Sequence, residues 1–450
     1  MSKDIRIKKG LDIKLIGDAA QTTTELLVSG IYVIKPDNFH GIIPKIVAKV
    51  GAEVKAGDTL FYDKSDSRIL FASPVSGKIE EIVRGERRKV LAIKILADSK
   101  QEHINFGTQK ASEMSSEEVK AKLLSSGCWP FVKQRPYDVV ANPNQAPKAI
   151  FISGYDSAPL AADCDYVLNG KEDLLQEALT ALAKLTKGKV HVSISESSKK
   201  SPFTNLKDVE IHKLFGPHPI GNVSTQIGQI DPINKGEVVW VVNPQDLLVI
   251  GELFLSGKFN IKRTIALAGS QFAKPSYVTV YPGMTIKNII SDNLNNDDTR
   301  IISGNVLSGT QVSLEGNLGY YDNQITAIPE GNDYELFGWT KPVFNKISPT
   351  RSLTFSWLNK KKKYDLNTNT NGEHRAFVVT GFYEKVFPLD IYPMQLLKSC
   401  MYQDLDEMEA LGMYEVAPED FALTEFVCIS KQPHQEIIRK GLDLMLKEIG

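Results

Sequence analysis

The most concentrated polar and aromatic chemistry in this chain sits in Leu214-Phe215-Gly216-Pro217-His218-Pro219-Ile220-Gly221-Asn222. Two glycines and two prolines fix an irregular backbone around one imidazole, with an aromatic ring three residues before it. Loops held on a rigid scaffold are where binding and catalysis concentrate. An imidazole in such a loop can donate or accept a hydrogen bond near neutral pH, and a histidine bonded only within its own loop is the competing reading.

Other chemistries lack their residues. Gly304-Asn305-Val306-Leu307-Ser308-Gly309-Thr310 has the glycine spacing of a phosphate loop but no lysine to meet the phosphates. The strand expected at Lys148 to Ser153 runs into Gly154-Tyr155-Asp156-Ser157-Ala158-Pro159, so the dinucleotide fingerprint is missing. There is no G-x-S-x-G elbow and no H-E-x-x-H, and the 7 histidines are scattered. Cys128, Cys164, Cys400 and Cys428 form no C-x-x-C pair, so the expectation is buried thiols, no bound metal and no iron–sulfur ligand set. No catalytic residue is predicted in this chain.

Composition narrows the partners. Over 450 residues, Lys+Arg 53 against Asp+Glu 54 gives a net charge of -1, without the basic excess that nucleic-acid binding draws on. Hydrophobic content of 42% with 24% charged residues is that of a folded globular chain. The first ten residues carry no apolar core of signal-peptide length, which predicts a cytoplasmic location. The longest apolar stretch, Val238 to Leu255, contains Asn243, Pro244, Asp246 and Glu252 and reads as strand plus helix rather than a membrane span.

The elements that must position these residues follow from periodicity. To about His103 the chain reads as short strands and Gly turns, with Val50-Gly51 to Gly57-Asp58-Thr59-Leu60 and Ser73-Pro74-Val75-Ser76-Gly77 as hairpin punctuation. Ser115 to Glu118 is a capping box, predicting a helix to about Ser125 with Val119, Leu123 and Leu124 buried and Gly127 as its stop. Lys148 to Ser153, a helix from Glu172 to Thr186 and alternating Val190, Val192, Ile194 make one βαβ unit. Glu237 to Val242, a helix 244 to 256 capped by Asn243 and stopped at Gly257, and Thr264 to Ala268 predict a second βαβ in the same parallel sheet. Ser276 to Ala327 reads as small β elements with one helix near Ile286 to Ile290. Lys360 to Gly372 reads as a solvated loop, and Met394 to Gly450 as helices broken at Gly412, Pro418 and Pro433.

The V-G-x-x-V-x-x-G-D-x-L run followed by S-P-V-x-G resembles the flattened barrel of lipoyl and biotinyl carrier domains. Asp63-Lys64-Ser65 looks like the tip that presents a modified lysine. Lys64 to Pro74 nevertheless spans about two residues more than that family's spacing, so a solvated turn lysine is preferred.

A wider resemblance covers nearly the whole chain. Lys9-Gly10-Leu11-Asp12, Arg135-Pro136, Pro147 to Ile152, Asp156 to Asp163, Gly216-Pro217-His218-Pro219, Gln245-Asp246, Ile250 to Gly257, Glu335 to Trp339 and Phe387 to Ile391 together resemble the A-type subunit of bacterial sodium-translocating NADH:quinone reductases. The resemblance implies an α+β multidomain chain: a barrel-sandwich in a β-rich region 1–106, a Rossmann-like α/β domain at 107–269, a β-grasp-like domain at 270–332, and a linker with C-terminal helices at 333–450. It implies a location on the cytoplasmic side of the bacterial inner membrane, where five other subunits, several of them integral membrane proteins, hold the chain. The assembly would oxidise NADH and reduce ubiquinone or menaquinone while exporting Na+, with FMN, riboflavin, FAD and iron–sulfur centres in the partners.

A more distant resemblance runs to the flavin-bearing subunit of respiratory complex I. Where that relative has its glycine-rich flavin segment, Ser125 to Phe131 stands here, and Cys428 is isolated where a cluster would need several ligands. No redox cofactor is therefore expected in this chain. Quinone, the substrate, needs an apolar slot with one or two donors, which Leu214, Phe215 and His218 would supply. The alternatives are a soluble carrier or scaffold with a lipoyl-like domain, and an independent flavin or NAD oxidoreductase.

Overall fold

The computed structural model describes residues 3–291, 293–331, 335–338, 345–348, 357–358 and 361–450. Trp339 of one resemblance segment and Lys360 of the basic run lie outside these residues.

Short apolar strands separated by Gly turns cannot each bury a face alone, so they pair into sheets that close on one another. Residues 31–97 do this with two antiparallel sheets. One runs Ile31–Ile34, Val90–Ala97, Gly77–Arg84, Glu53–Val54, and the other Pro44–Ile46, Thr59–Asp63, Leu70–Ala72. Leu60, Phe61, Ile79, Ile93 and Ile95 are buried among them, and the Phe61 and Phe71 rings stack at 4.5 Å. This is the expected barrel-sandwich.

The helix Ser116–Ser125 starts at Ser115 with both bonds of the capping box and buries Val119, Leu123 and Leu124. It leads into a seven-stranded sheet, in order Asp4–Arg6, Glu210–Phe215, Lys189–Ser195, Ala149–Ser153, Val239–Val242, Val132–Arg135, Val139–Val140. The first five strands pair in parallel and the last two join through antiparallel pairing, Val132–Arg135 running against the rest, so the sheet is mixed rather than wholly parallel. Helices Glu172–Ala183 and Pro244–Ser256 pack against each other, while Val223–Ile230 meets Ala149, Phe151 and Val239 in a separate apolar cluster.

The second βαβ unit does not form. Arg263–Ala268 pairs with Ser276–Val280 and Gln324–Pro329 in another sheet, whose order is Thr310–Val312, Thr299–Ser303, Gln324–Pro329, Arg263–Ala268, Ser276–Val280, Ala20–Glu25. A strand has two edges, and both edges of Val239–Val242 are taken, by Ala149–Ser153 on one side and Val132–Arg135 on the other. The segment before the barrel supplies Asp4–Arg6 to the seven-stranded sheet and Ala20–Glu25 to the six-stranded one. The expected helix is there at Ile286–Ile290. The C-terminal helices Pro393–Tyr402, Leu405–Ala410, Ala422–Phe426 and His434–Glu448 surround their own core of Leu396, Leu397, Phe421, Ile438 and Leu442.

Candidate functional site

Strand order decides where a parallel sheet can hold a ligand. From Ala149–Ser153 the chain adds Lys189–Ser195 and Glu210–Phe215 outward on one side, then returns to place Val239–Val242 on the other. Loops leaving the carboxyl ends of Ala149–Ser153 and Val239–Val242 therefore diverge, and the gap between them is the usual ligand crevice of open α/β sheets. Here it is a cleft of about 250 Å³ lined by Ser153, Tyr155, Asp156, Val242, Asn243 and Pro244 from the two strand ends. Asn305, Ser308 and Tyr321 close it from the six-stranded sheet, and Glu419 and Ala422 from the C-terminal helices.

His218 forms part of the wall. It is 5% exposed, and its Nδ1 lies 2.9 Å from Ser157 Oγ, which also accepts the Gly221 amide at 2.8 Å. The loop is strapped from the far end of the chain: the His218 amide donates to Asp12 Oδ1 at 2.9 Å and its carbonyl accepts from Leu11 at 2.8 Å. Gly10 is required at that crossing, because a Cβ there would come within 2.2 Å of the His218 carbonyl. Burial pushes the imidazole down to about 4, with Asp12 and Ser157 acting weakly the other way, so the ring is neutral at pH 7. A neutral ring can donate or accept without carrying charge into the cleft.

The opposite wall is cationic. Lys133 and Arg135 come from the antiparallel strand Val132–Arg135, which leads through a cis Arg135-Pro136 bond to Tyr137 and Asp138, both at positive φ. Arg135 Nη2 lies 3.1 Å from Glu419 and 3.6 Å from Asp138. Burial opposes ionisation of Asp138, but Arg135, Lys133, Arg439 and His40 outweigh it and hold that carboxyl down at about 2. Glu419 and Asp420 come from the C-terminal region, and burial with the neighbouring Glu419 pushes the Asp420 carboxyl well up. Arg439 of the last helix bonds the Tyr137 carbonyl at 2.8 Å, tying the same turn down.

Of the three residues expected at a quinone site, only His218 lines the cleft. Leu214 is buried with Ile5 and Ile220, and Phe215 is covered by the Arg6 guanidinium at 3.6 Å. Lys64 is exposed on the turn after Thr59–Asp63, and Asp63 before it shapes that turn by accepting the amides of Ile43 at 2.9 Å and Ser65 at 3.2 Å. Sequence reasoning singled out neither Lys133, Asp138 nor Glu419. Glu419 reaches Arg135 across 284 residues of chain, and no local pattern announces such a contact.

The fold and its cleft define a multidomain protein in which a barrel-sandwich precedes a helix-covered α/β sheet and a second mixed sheet. Three family models match in that order: the NqrA N-terminal barrel-sandwich hybrid domain over residues 5–98, the NqrA second alpha/beta domain over 114–259, and the NQRA C-terminal domain over 264–313. Full-length relatives named as the A-type subunit of a Na(+)-translocating NADH-quinone reductase include those of Yersinia pestis bv. Antiqua strain Angola, 37% identical over 99% of this chain and 100% of theirs, and Neisseria meningitidis serogroup B strain MC58, 36% identical over the same shares. The chain belongs to this NqrA family. A solved NAD+-reducing [NiFe]-hydrogenase structure aligns at a TM-score of 0.35 and 10% identity over 48% of this chain and 47% of its own, too slight a likeness to carry an argument.

Proposed function

We propose that this chain is the NqrA component of a bacterial assembly that oxidises NADH, reduces ubiquinone or menaquinone and exports Na+. The observation that carries the reading is the full-length identity to relatives of that name, at 37% over 99% of the chain. In this reading the chain is peripheral and lies on the cytoplasmic side of the inner membrane, held by five partner subunits, several of them integral. Those partners carry the FMN, riboflavin, FAD and iron–sulfur centres. No described helix is long and apolar enough to cross a membrane, which fits a component held by others. The seven-stranded sheet serves as a Rossmann-like platform and the six-stranded sheet as a β-grasp-like one.

The test is co-purification. A tagged chain should come off detergent-solubilised membranes in stoichiometric amount with NADH:quinone reductase activity that depends on Na+. A chain that purifies alone, coloured by stoichiometric flavin and turning over NADH, would instead establish the independent oxidoreductase.

Within that assembly we propose that quinone approaches this chain at the His218 side of the cleft, with Leu214 and Phe215 supporting the loop from behind. His218→Ala should then raise the quinone KM of the complex, as expected for a lost donor worth about 1 to 3 kcal/mol. A lower melting temperature with unchanged quinone kinetics would assign His218 to the loop alone.

A further inference from the structure

The cleft presents more donors than the chain's own acceptors use. The helix Val223–Ile230 starts on it at Asn222 and Val223, and Asn222 does not fold its side chain back to cap that start. The helix Pro244–Ser256 starts on it at Asn243 and Pro244. Helix starts carry partial positive charge, which favours anions. At the second start Pro244 has no amide and those of Gln245 and Asp246 are taken by Asn243, so free amides are offered by the Val223 start. The Lys133 ammonium sits 4.2 Å from the centre of the Tyr321 ring and makes no ion pair with a described residue. The Arg135 side chain is 5% exposed, and its Nε and Nη1 have no hydrogen-bond partner.

The acidic residues of the cleft already have partners. Asp138 and Glu419 both face Arg135 Nη2, leaving the other guanidinium nitrogens unused. Asp246 is closed in a buried pair with Arg263. Burial pushes Asp156 up, and its Oδ1 accepts the Ala158 amide at 2.8 Å. What is left toward the cavity is the Lys133 ammonium, the Arg135 Nε and Nη1 donors and two helix starts, so the missing complement is an anion. A volume of about 250 Å³ falls below the 300–1,000 Å³ usual for drug-sized ligands and favours a small one.

We propose that this cleft binds a small anion, a carboxylate or phosphate group, on Lys133 and Arg135 between the two helix starts. This site goes beyond the quinone reading and does not depend on it.

The full-length chain is titrated calorimetrically with inorganic phosphate and, separately, with malonate, at ionic strength held constant with chloride. Saturable one-to-one binding of at least one of them is expected, weakened tenfold or more in Lys133→Gln and in Arg135→Gln and unchanged in Lys64→Gln, on the distant barrel turn. Arg135→Gln strands Asp138 and Glu419 and risks misfolding, whereas Lys133→Gln breaks no ion pair and keeps the test decisive. Preference for phosphate over malonate, or the reverse, identifies the source. Heats that never saturate, or binding that Lys133→Gln leaves intact, overturn the proposal. Neither result bears on quinone kinetics in His218→Ala, so the two readings fail separately.

Discussion

Two helices follow two neighbouring parallel strands of the same sheet, and they end in different places. After Ala149–Ser153 the helix Glu172–Ala183 returns the chain to Lys189–Ser195, paired in parallel with Ile150 opposite Val190. After Val239–Val242 the helix Pro244–Ser256 delivers Arg263–Ala268 to the other sheet. The first helix buries a stripe of Leu175, Ala178, Leu179, Ala181 and Leu182, whereas the second buries ten of its residues from Pro244 to Phe254. A helix apolar on one stripe covers one sheet, and one apolar nearly all round is enclosed. Both patterns end in an apolar strand, so strand character alone does not choose the partner; free edges do.

The strand that follows the second helix is also tied back to that helix's first turn by polar groups that the first crossover lacks among the described residues. Gln245 acts as a substitute strand for Thr264, donating from Nε2 to its carbonyl at 2.9 Å and accepting its amide on Oε1 at 3.0 Å. One residue further along the helix and one residue earlier on the strand, Asp246 and Arg263 form an ion pair at 2% and 1% side-chain exposure. Arg263→Met strands the Asp246 carboxylate, and breaking one side of a buried pair costs about 3 to 5 kcal/mol. Replacing both, as Asp246→Leu with Arg263→Met, should recover most of that loss, because an apolar pair of similar volume is often as stable. Urea unfolding of the three chains is the measurement. A loss under about 1 kcal/mol in Arg263→Met would mean that the sheet junction does not rest on the pair.

The helices also meet each other, which tests whether they are independent units. A Cβ at Gly251 would come within 2.1 Å of the Leu174 carbonyl in the first helix. Alanine favours a helix by up to about 1 kcal/mol over glycine, but overpacking against backbone costs about 1 to 3 kcal/mol. Gly251→Ala should therefore destabilise by roughly 1 kcal/mol or more, read in the same unfolding experiment. A stabilised variant would show that the two helices separate at no cost and that each crossover folds alone.

What the sequence disclosed follows the range of the interaction. The capping box at Ser115, the Asn243 start, the Gly257 stop and the barrel hairpins are local, and each stands where its residues predict. His218 was legible as a loop residue, since Gly and Pro around it are a local signal; its strap at Asp12 is not, because the bond spans 206 residues. Leu214 and Phe215 share its stretch of sequence, yet strand alternation and the turn after Phe215 send them to Ile5 and Arg6 instead. The cationic wall was unreadable for the same reason as the fate of Arg263–Ala268. Lys133 and Arg135 matter through what the antiparallel strand places them beside, and Val239–Val242 on one edge and Glu419 beyond it lie about a hundred residues away or more, although the other edge pairs locally with Val139–Val140.

The smallest contrast between the two helices is at their starts. Asn243 has extended backbone angles and its Oδ1 accepts the Gln245 amide at 3.0 Å, while Pro244 needs no amide partner. Lys171 precedes the other helix and offers no side-chain cap. Removing a cap costs about 1 kcal/mol, whereas a surface change away from such features stays within about 0.5 kcal/mol. Asn243→Ala should thus lose about 1 kcal/mol and Lys171→Ala much less, with Asn243→Ser restoring most of the loss because a serine hydroxyl can accept the same amide. Failure of serine to rescue would place the role of Asn243 in the cleft that it lines rather than in its helix. The second helix would then resemble the first in having no side-chain cap that matters, and the contrast between the two crossovers would rest on the ion pair and the occupied strand edges alone.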